Sequence, residues 1–239
     1  MVLLMHVRLS PQRRRELAVG AGVLVLVVAA GLAGLLIQRS RASAAGAAYS
    51  GPYAPVTWTA GGTVTMSQPG VTGPVLNVWE DFQCSICDDF EVANGGAVEE
   101  LAYQGRVKVV YHLFTIFVGS QPRQANSTRA WAAARCAPAG SWVRYHDLIY
   151  AHQPAETAND GFPVSQLLTL GKQVGLTGRV FVLCVESQRY AAQIVPLSNR
   201  IIKSGIRATP TVTLNGRPVQ LSTLVSAGAD LSHAILAAH

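Results

Sequence analysis

Hydrophobic positions along this chain follow three different patterns, and each predicts a different kind of element. Residues 17–37, LAVGAGVLVLVVAAGLAGLLI, form an unbroken run of 21 residues without a charge. As a helix rising about 1.5 Å per residue, the run reaches about 30 Å, enough to cross a bilayer once. Short β-branched or alternating runs predict strands. Thr63–Met66 reads as an edge strand, Val75–Phe82 as the central one, and Arg106–Phe114 as its neighbour. Thr211–Leu214 is another, and the Asn215-Gly216 turn returns the chain to Val219–Leu221. Helical spacing covers the rest. Asp88–Tyr103 carries apolar residues at Phe90, Val92, Ala93, Ala97, Val98 and Leu101 and stops at Gly105. Ala125–Ala137, Trp142–His152, Pro163–Val174 and Thr177–Gln193 predict four more helices, and Ser222–Ala238 closes the chain as another. A strand, a helix and a strand over residues 75–114 predict a right-handed crossover between parallel neighbours.

This pattern divides the chain into a basic leader at 1–16, a transmembrane anchor at 17–37 and an Ala/Gly/Ser/Pro-rich tether at 38–55. An α/β domain follows at 56–239, with a helical insert at about 123–195. Charge decides the orientation. Arg8, Arg13, Arg14 and Arg15 precede the apolar run, and Arg39 and Arg41 follow it. The larger cluster lies N-terminally, so the N-terminus is expected in the cytoplasm and the domain outside the cell membrane. A cleaved signal is the other reading, since Ala42-Ser43-Ala44 resembles a cleavage site. The run exceeds the about 7–15 residues of a signal core, which favours the anchor. The net charge of +6 does not point to nucleic acid. Residues 1–41 hold six Arg against one Glu, leaving +5, and residues 42–239 hold 13 basic against 12 acidic side chains. No basic stripe remains to follow a phosphate backbone.

The candidate chemistry is sulfur. The central strand ends in Glu80-Asp81-Phe82-Gln83-Cys84-Ser85-Ile86-Cys87, and a helix begins there. Unpaired N–H groups at a helix start favour a thiolate over a thiol, and two cysteines three apart can close and reopen a disulfide. Cys84 is then the exposed, attacking sulfur and Cys87 its buried partner. Half a zinc site or a structural bridge is the competing reading. A zinc site needs a second close cysteine pair, and Cys136 and Cys184 are far apart, so no metal is expected. With Cys84–Cys87 as the redox pair, Cys136–Cys184 remains as a structural bridge in an oxidising compartment, two unrelated buried thiols being the alternative. Glu80 and Asp81 are the nearest carboxylates and are candidate proton relays for Cys87.

EDFQCSIC at 80–87, the strand VKVVYHLF, the helical insert and Ala208-Thr209-Pro210-Thr211 together resemble the DsbA-type thiol–disulfide oxidoreductases of the thioredoxin superfamily, in particular the membrane-anchored actinobacterial ones. The resemblance covers roughly residues 60–238. It implies a thioredoxin-like α/β fold with an inserted helical subdomain, here preceded by the single transmembrane helix. It also implies a cis Pro210 facing the cysteines and shielding them from metals, with the Thr209 backbone pairing to an extended substrate. Ser85 stands where relatives often have Pro, Ile86 where the best-known oxidases carry His, and Val78 where many have a buried acid.

The function expected is an exported, anchored oxidase that introduces disulfides into reduced or unfolded secreted proteins, without metal or organic cofactor. The resemblance implies a membrane reoxidant of the DsbB or vitamin K epoxide reductase type. A thiol reductase or isomerase of the same fold is the alternative, and a non-catalytic tethered binding module the third reading.

Overall fold

The computed structural model describes residues 49–59, 61–220 and 229–238. The leader, the apolar run at 17–37 and the tether as far as residue 48 lie outside the described residues. Among the described residues no helix is long and apolar enough to cross a membrane.

Six strands form one mixed sheet: β1 (Val56–Trp58), β2 (Val64–Met66), β3 (Val75–Glu80), β4 (Lys108–Leu113), β5 (Thr211–Leu214) and β6 (Arg217–Pro218), in the order β1-β2-β4-β3-β5-β6. β3 and β4 pair in parallel, Val75 opposite Lys108 and Glu80 opposite Leu113, as the crossover pattern requires. All other neighbours are antiparallel. The crossover is a helical rod made of α1 (Ser85–Phe90), a π-helical turn (Glu91–Gly95) and α2 (Gly96–Tyr103). Gly105, at φ +72°, ends it: its N–H donates to Ala102 O, and the Arg106 N–H donates to Leu101 O. A residue with a Cβ is disfavoured in that left-handed conformation.

Two expectations about the sheet change. Thr63–Met66 is not an edge: β2 lies between β4 and β1, and Val56–Trp58 takes the edge. The return strand is two residues, Arg217–Pro218, though the Val219 N–H still donates to Val212 O at 2.9 Å.

Strand alternation buries Leu76, Val78 and Glu80 of β3 with Val109, Tyr111 and Leu113 of β4 on one face. Against that face lies α4 (Ala139–Ala151), one of five helices between β4 and β5. Trp142, His146 and Tyr150 recur every four residues and so share one side of it. Their rings meet Tyr111 and Phe82 at centroid distances of 4.9–5.5 Å. The other four are α3 (Arg123–Cys136), α5 (Val164–Gln173), α6 (Arg179–Glu186) and α7 (Ala191–Lys203). The insert therefore extends past 195. The single helix expected over Thr177–Gln193 breaks after Glu186, where Gln188 adopts φ +48°, and α7 then runs on through Pro196 to Lys203. Helix α8 (Ala229–Ala237) buries Leu231 and Ile235. The end of the expected tether also belongs to the domain: Ala54 is buried, and the Arg144 guanidinium stacks over the Tyr53 ring.

The structure joins Cys136, the last residue of α3, to Cys184 in α6, across 48 residues of sequence. Closing a loop of that length stabilises the folded state by about 4 kcal/mol in the chain-entropy picture. Replacing both cysteines by serine is expected to lower the unfolding free energy in urea by about 2–4 kcal/mol while leaving the Cys84 thiol as reactive as before. A change below about 1 kcal/mol would show that the bridge carries little of the stability.

Candidate active site

The strand–helix junction positions both redox-motif sulfurs. Cys84 is the N-cap residue of α1, in extended conformation at φ −81° and ψ 118°, and Cys87 sits one turn later inside the rod. Both are free thiols and both are buried: Cys84, expected to be exposed, is only 7% exposed because the cis-proline loop covers it, and Cys87 is fully buried. The Cys87 thiol donates to the Cys84 sulfur and is the main influence lowering the Cys84 thiol to about 7. Burial opposes this, and the Thr209 hydroxyl and the N–H groups of Cys87 and Ile86 reinforce it. Burial, followed by the hydrogen bond and charge of Cys84, pushes Cys87 well above the ordinary thiol range. The two sulfurs are thus split, one able to ionise near neutral pH and the other kept protonated.

Thr209 and Pro210 close the site from β5. The Thr209–Pro210 bond is cis, and the protonated Cys84 thiol donates to Thr209 O at 3.3 Å. The Thr209 hydroxyl oxygen is buried with no other partner, so it is free to donate to the thiolate once the proton leaves.

The two neighbouring carboxylates behave differently. Asp81 is tied down by Ser127 Oγ, Thr115 Oγ1, and the N–H groups of Ile116 and Gln83. Burial pushes its carboxyl up to about 6 against the pull of those bonds. Its side chain fastens β3 to β4 and α3, and its backbone N–H bonds the Cys87 sulfur. Glu80 is fully buried and meets His146 Nε2 at 2.8 Å, while His146 Nδ1 meets Asp147 Oδ1 at 3.0 Å. Burial opposes the charged imidazole, but the Glu80 charge and the hydrogen bonds to Asp147 and Glu80 hold it well above its ordinary range.

Glu91 joins Glu80 through a side-chain hydrogen bond, and Glu99 joins Asp147 likewise. Two carboxylates bond only through a proton, and burial keeps one on each of Glu91 and Glu99, the latter pushed up to about 10. Glu80 Oε2 and Glu91 Oε1 are both buried with no other partner. Gly95 makes room for this chain, since a Cβ there would lie 2.9 Å from Glu91 Oε2. A cavity of about 300 Å³, lined by Glu91, Glu99, Asp147, Arg144 and Tyr53 among others, opens the far end to solvent. Glu80, Glu91 and His146 offer three metal-ligand atoms within 4.8 Å of one another. Ligands of one tetrahedral ion lie roughly 3.3 Å apart, so the 2.8 Å contact is a hydrogen bond. The trio reads as a proton-sharing cluster.

The sequence reading missed His146 and a loop of the insert. Gln153 Nε2 donates to Phe82 O and Cys84 O, both at 2.9 Å, and Gln83 Nε2 donates to Pro154 O and Ala155 O at 3.3 Å. Ser85 gives its N–H and its hydroxyl to Glu156 Oε1, each at 2.9 Å. The one available signal was Ser85 itself, which keeps two donors where proline would offer none. His112 takes no part: it stacks on Trp79 and bonds Asn77, and burial lowers it to about 4.

The cis-proline and the split cysteine pair sit in a fold that known proteins share. The family model described as Thioredoxin matches residues 72–228. The reduced disulfide bond oxidoreductase DsbG from Mycobacterium tuberculosis is 31% identical over 71% of this chain and 80% of that one, with a TM-score of 0.59. The chain belongs to the DsbA-type branch of the thioredoxin family. Reduced DsbA from the same organism is 28% identical over 72% of this chain and 94% of that one, at a TM-score of 0.54. The thiol-disulfide oxidoreductase MdbA from Corynebacterium diphtheriae shares the fold, at 16% identity over 80% and 97% of the chains and a TM-score of 0.61. No curated protein matches the sequence. As a DsbA-type protein the chain is a dithiol–disulfide oxidoreductase.

Proposed function

We propose that this DsbA-type protein is an exported, membrane-anchored oxidase that places disulfides in secreted proteins through Cys84 and Cys87. The observation that carries the reading is the division of labour between the two sulfurs: Cys84 at the helix start with its thiol lowered to about 7, Cys87 buried and raised. In the oxidised enzyme a substrate thiolate attacks Cys84 Sγ. The Cys84–Cys87 bond breaks, a mixed disulfide forms, and Cys87 leaves as a thiolate. Cys87 then takes a proton, for which Glu80 is the relay to the protonated cluster behind it. Asp81, fully engaged in hydrogen bonds, serves the fold. A second substrate thiolate attacks the substrate sulfur of the mixed disulfide and releases Cys84 as a thiolate. Two electrons have moved from substrate to enzyme, and a lower Cys84 pKa makes that transfer more favourable. Thr209 O and the adjoining backbone line the approach to Cys84 for an extended substrate segment.

The apolar run at 17–37 with its arginine-rich N-terminal flank supports an anchor with the N-terminus inside. The reoxidant is a membrane partner of the DsbB or vitamin K epoxide reductase type. The test is refolding of a reduced, unfolded substrate that needs disulfides. Wild type is expected to restore its activity, and Cys84→Ser to abolish the effect. Failure of wild type, or full activity in Cys84→Ser, would refute the reading. A potential near about −270 mV, in place of one toward about −120 mV, would make the protein a reductase.

A further inference from the structure

The insert loop is fastened to the redox motif by neutral contacts at Gln83 and Gln153, and by a single charged one. Glu156 Oε1 accepts both donors of Ser85, the first residue of α1 and the neighbour of Cys84. Behind it stands Arg123, 3.7 Å away, itself held by Ser120 Oγ at 2.8 Å and lying 4.6 Å over the Phe117 ring. The Glu156 side chain is 29% exposed, so its charge is only partly screened. The insert thus lays an ordered acid–base pair on the start of the rod, acid foremost. The carboxylate is thus bonded to the residue that follows Cys84, and a negative charge there opposes a second one on the neighbouring sulfur.

We infer that Glu156 is a positioning residue that sets a negative charge against the Cys84 thiolate and so restrains the enzyme as an oxidant, with Arg123 limiting the restraint. This rests on the exchange reaction proposed above. The other charged residues flanking Cys84–Cys87 and Thr209–Pro210 in the chain are Asp88 and Asp89 on α1, Glu80 and Asp81 at the end of β3, and Arg207. They are unchanged in every variant below and so cancel in the differences.

The test follows Cys84 in the full chain by alkylation rate against pH and by equilibrium with glutathione. Glu156→Gln keeps the acceptor for Ser85 and removes only the charge. It is expected to move the Cys84 midpoint down by about 0.5–1 pH unit. From a midpoint near 7, that makes the reduced form about two- to fivefold more favoured at pH 7, or about 10–20 mV. Arg123→Gln is expected to move the midpoint up, and by less once Glu156 is already Gln. Asp160→Asn removes an exposed acid that pairs with Arg129 and is expected to change nothing. An unmoved or raised midpoint in Glu156→Gln, or an equal shift in Asp160→Asn, would overturn the inference. Failure of the exchange reaction itself looks different, because wild type would then not equilibrate with glutathione at all, whereas a reductase would equilibrate at a lower potential.

Discussion

Alkylation of the reduced protein is expected to label Cys84 with a midpoint near pH 7 and to leave Cys87 untouched. Two effects set the size of the difference from an ordinary thiol. At pH 6 a group with a pKa of about 7 is about 9% thiolate, against about 0.3% for a free cysteine at about 8.5, a roughly 30-fold advantage. A less basic thiolate is also a poorer nucleophile, and with a Brønsted slope of 0.4–0.5 that returns a factor of about 5. Cys84 should therefore react about sixfold faster than a free cysteine at pH 6. At pH 9, where both are mostly ionised, it should react about fourfold slower. Both ratios hold at equal access; burial scales the Cys84 rate down by one factor at every pH, which leaves its midpoint and the roughly 20-fold fall in relative rate between pH 6 and pH 9 in place. Cys87 has neither access nor an accessible thiolate, and its labelling should require unfolding. Mass spectrometry of the labelled peptides across pH 5–9 checks this. Equal labelling of both sulfurs, or a Cys84 midpoint near 8.5, would remove the asymmetry on which the exchange mechanism stands.

The second large effect is in the core. His146→Leu preserves bulk on α4 and strands Glu80, which is fully buried and loses its 2.8 Å partner. Removing one member of a buried charged pair costs about 3–5 kcal/mol. Glu80→Gln together with His146→Leu removes the stranded charge and should recover part of that loss. The pH dependence has a definite sign. His146 is raised in the folded state, so its stabilisation is fully present below its unfolded value of about 6.5 and is lost as pH rises through the folded one. Glu91 and Glu99 are raised as well, so the folded state holds protons that the unfolded chain has released above about 4.5. His112 and Cys84 are lowered and run the other way, but His146, Glu91 and Glu99 outnumber them, so wild-type stability should fall from about pH 5 towards alkaline pH. Urea denaturation with the Cys136–Cys184 bridge intact measures both. A loss under about 1 kcal/mol in His146→Leu, or a double variant no better than the single, would contradict the buried-pair account.

Local patterns in the sequence located the cysteine pair at its strand–helix junction and the parallel strands, because each is written in contiguous residues, while the cis-proline loop came from the family resemblance. A strand running into a cysteine pair and then a helix is one stretch of chain. What stayed hidden is whatever crosses the fold. His146 reaches Glu80 over 66 residues and Glu156 reaches Ser85 over 71, and no periodicity records such a meeting. Helix α7 was obscured for a different reason. Pro196 lacks an N–H and reads as a breaker, yet the helix absorbs it because its apolar side is still packed, with Ile194 buried. The edge strand β1 is three residues long, too short to show alternation.

The Cys136–Cys184 link has a developmental meaning if the protein is an oxidase. A newly made chain carries four thiols, and two of them must be joined before the domain reaches full strength. Each fresh copy then needs a disulfide made for it by the same kind of chemistry it will later perform.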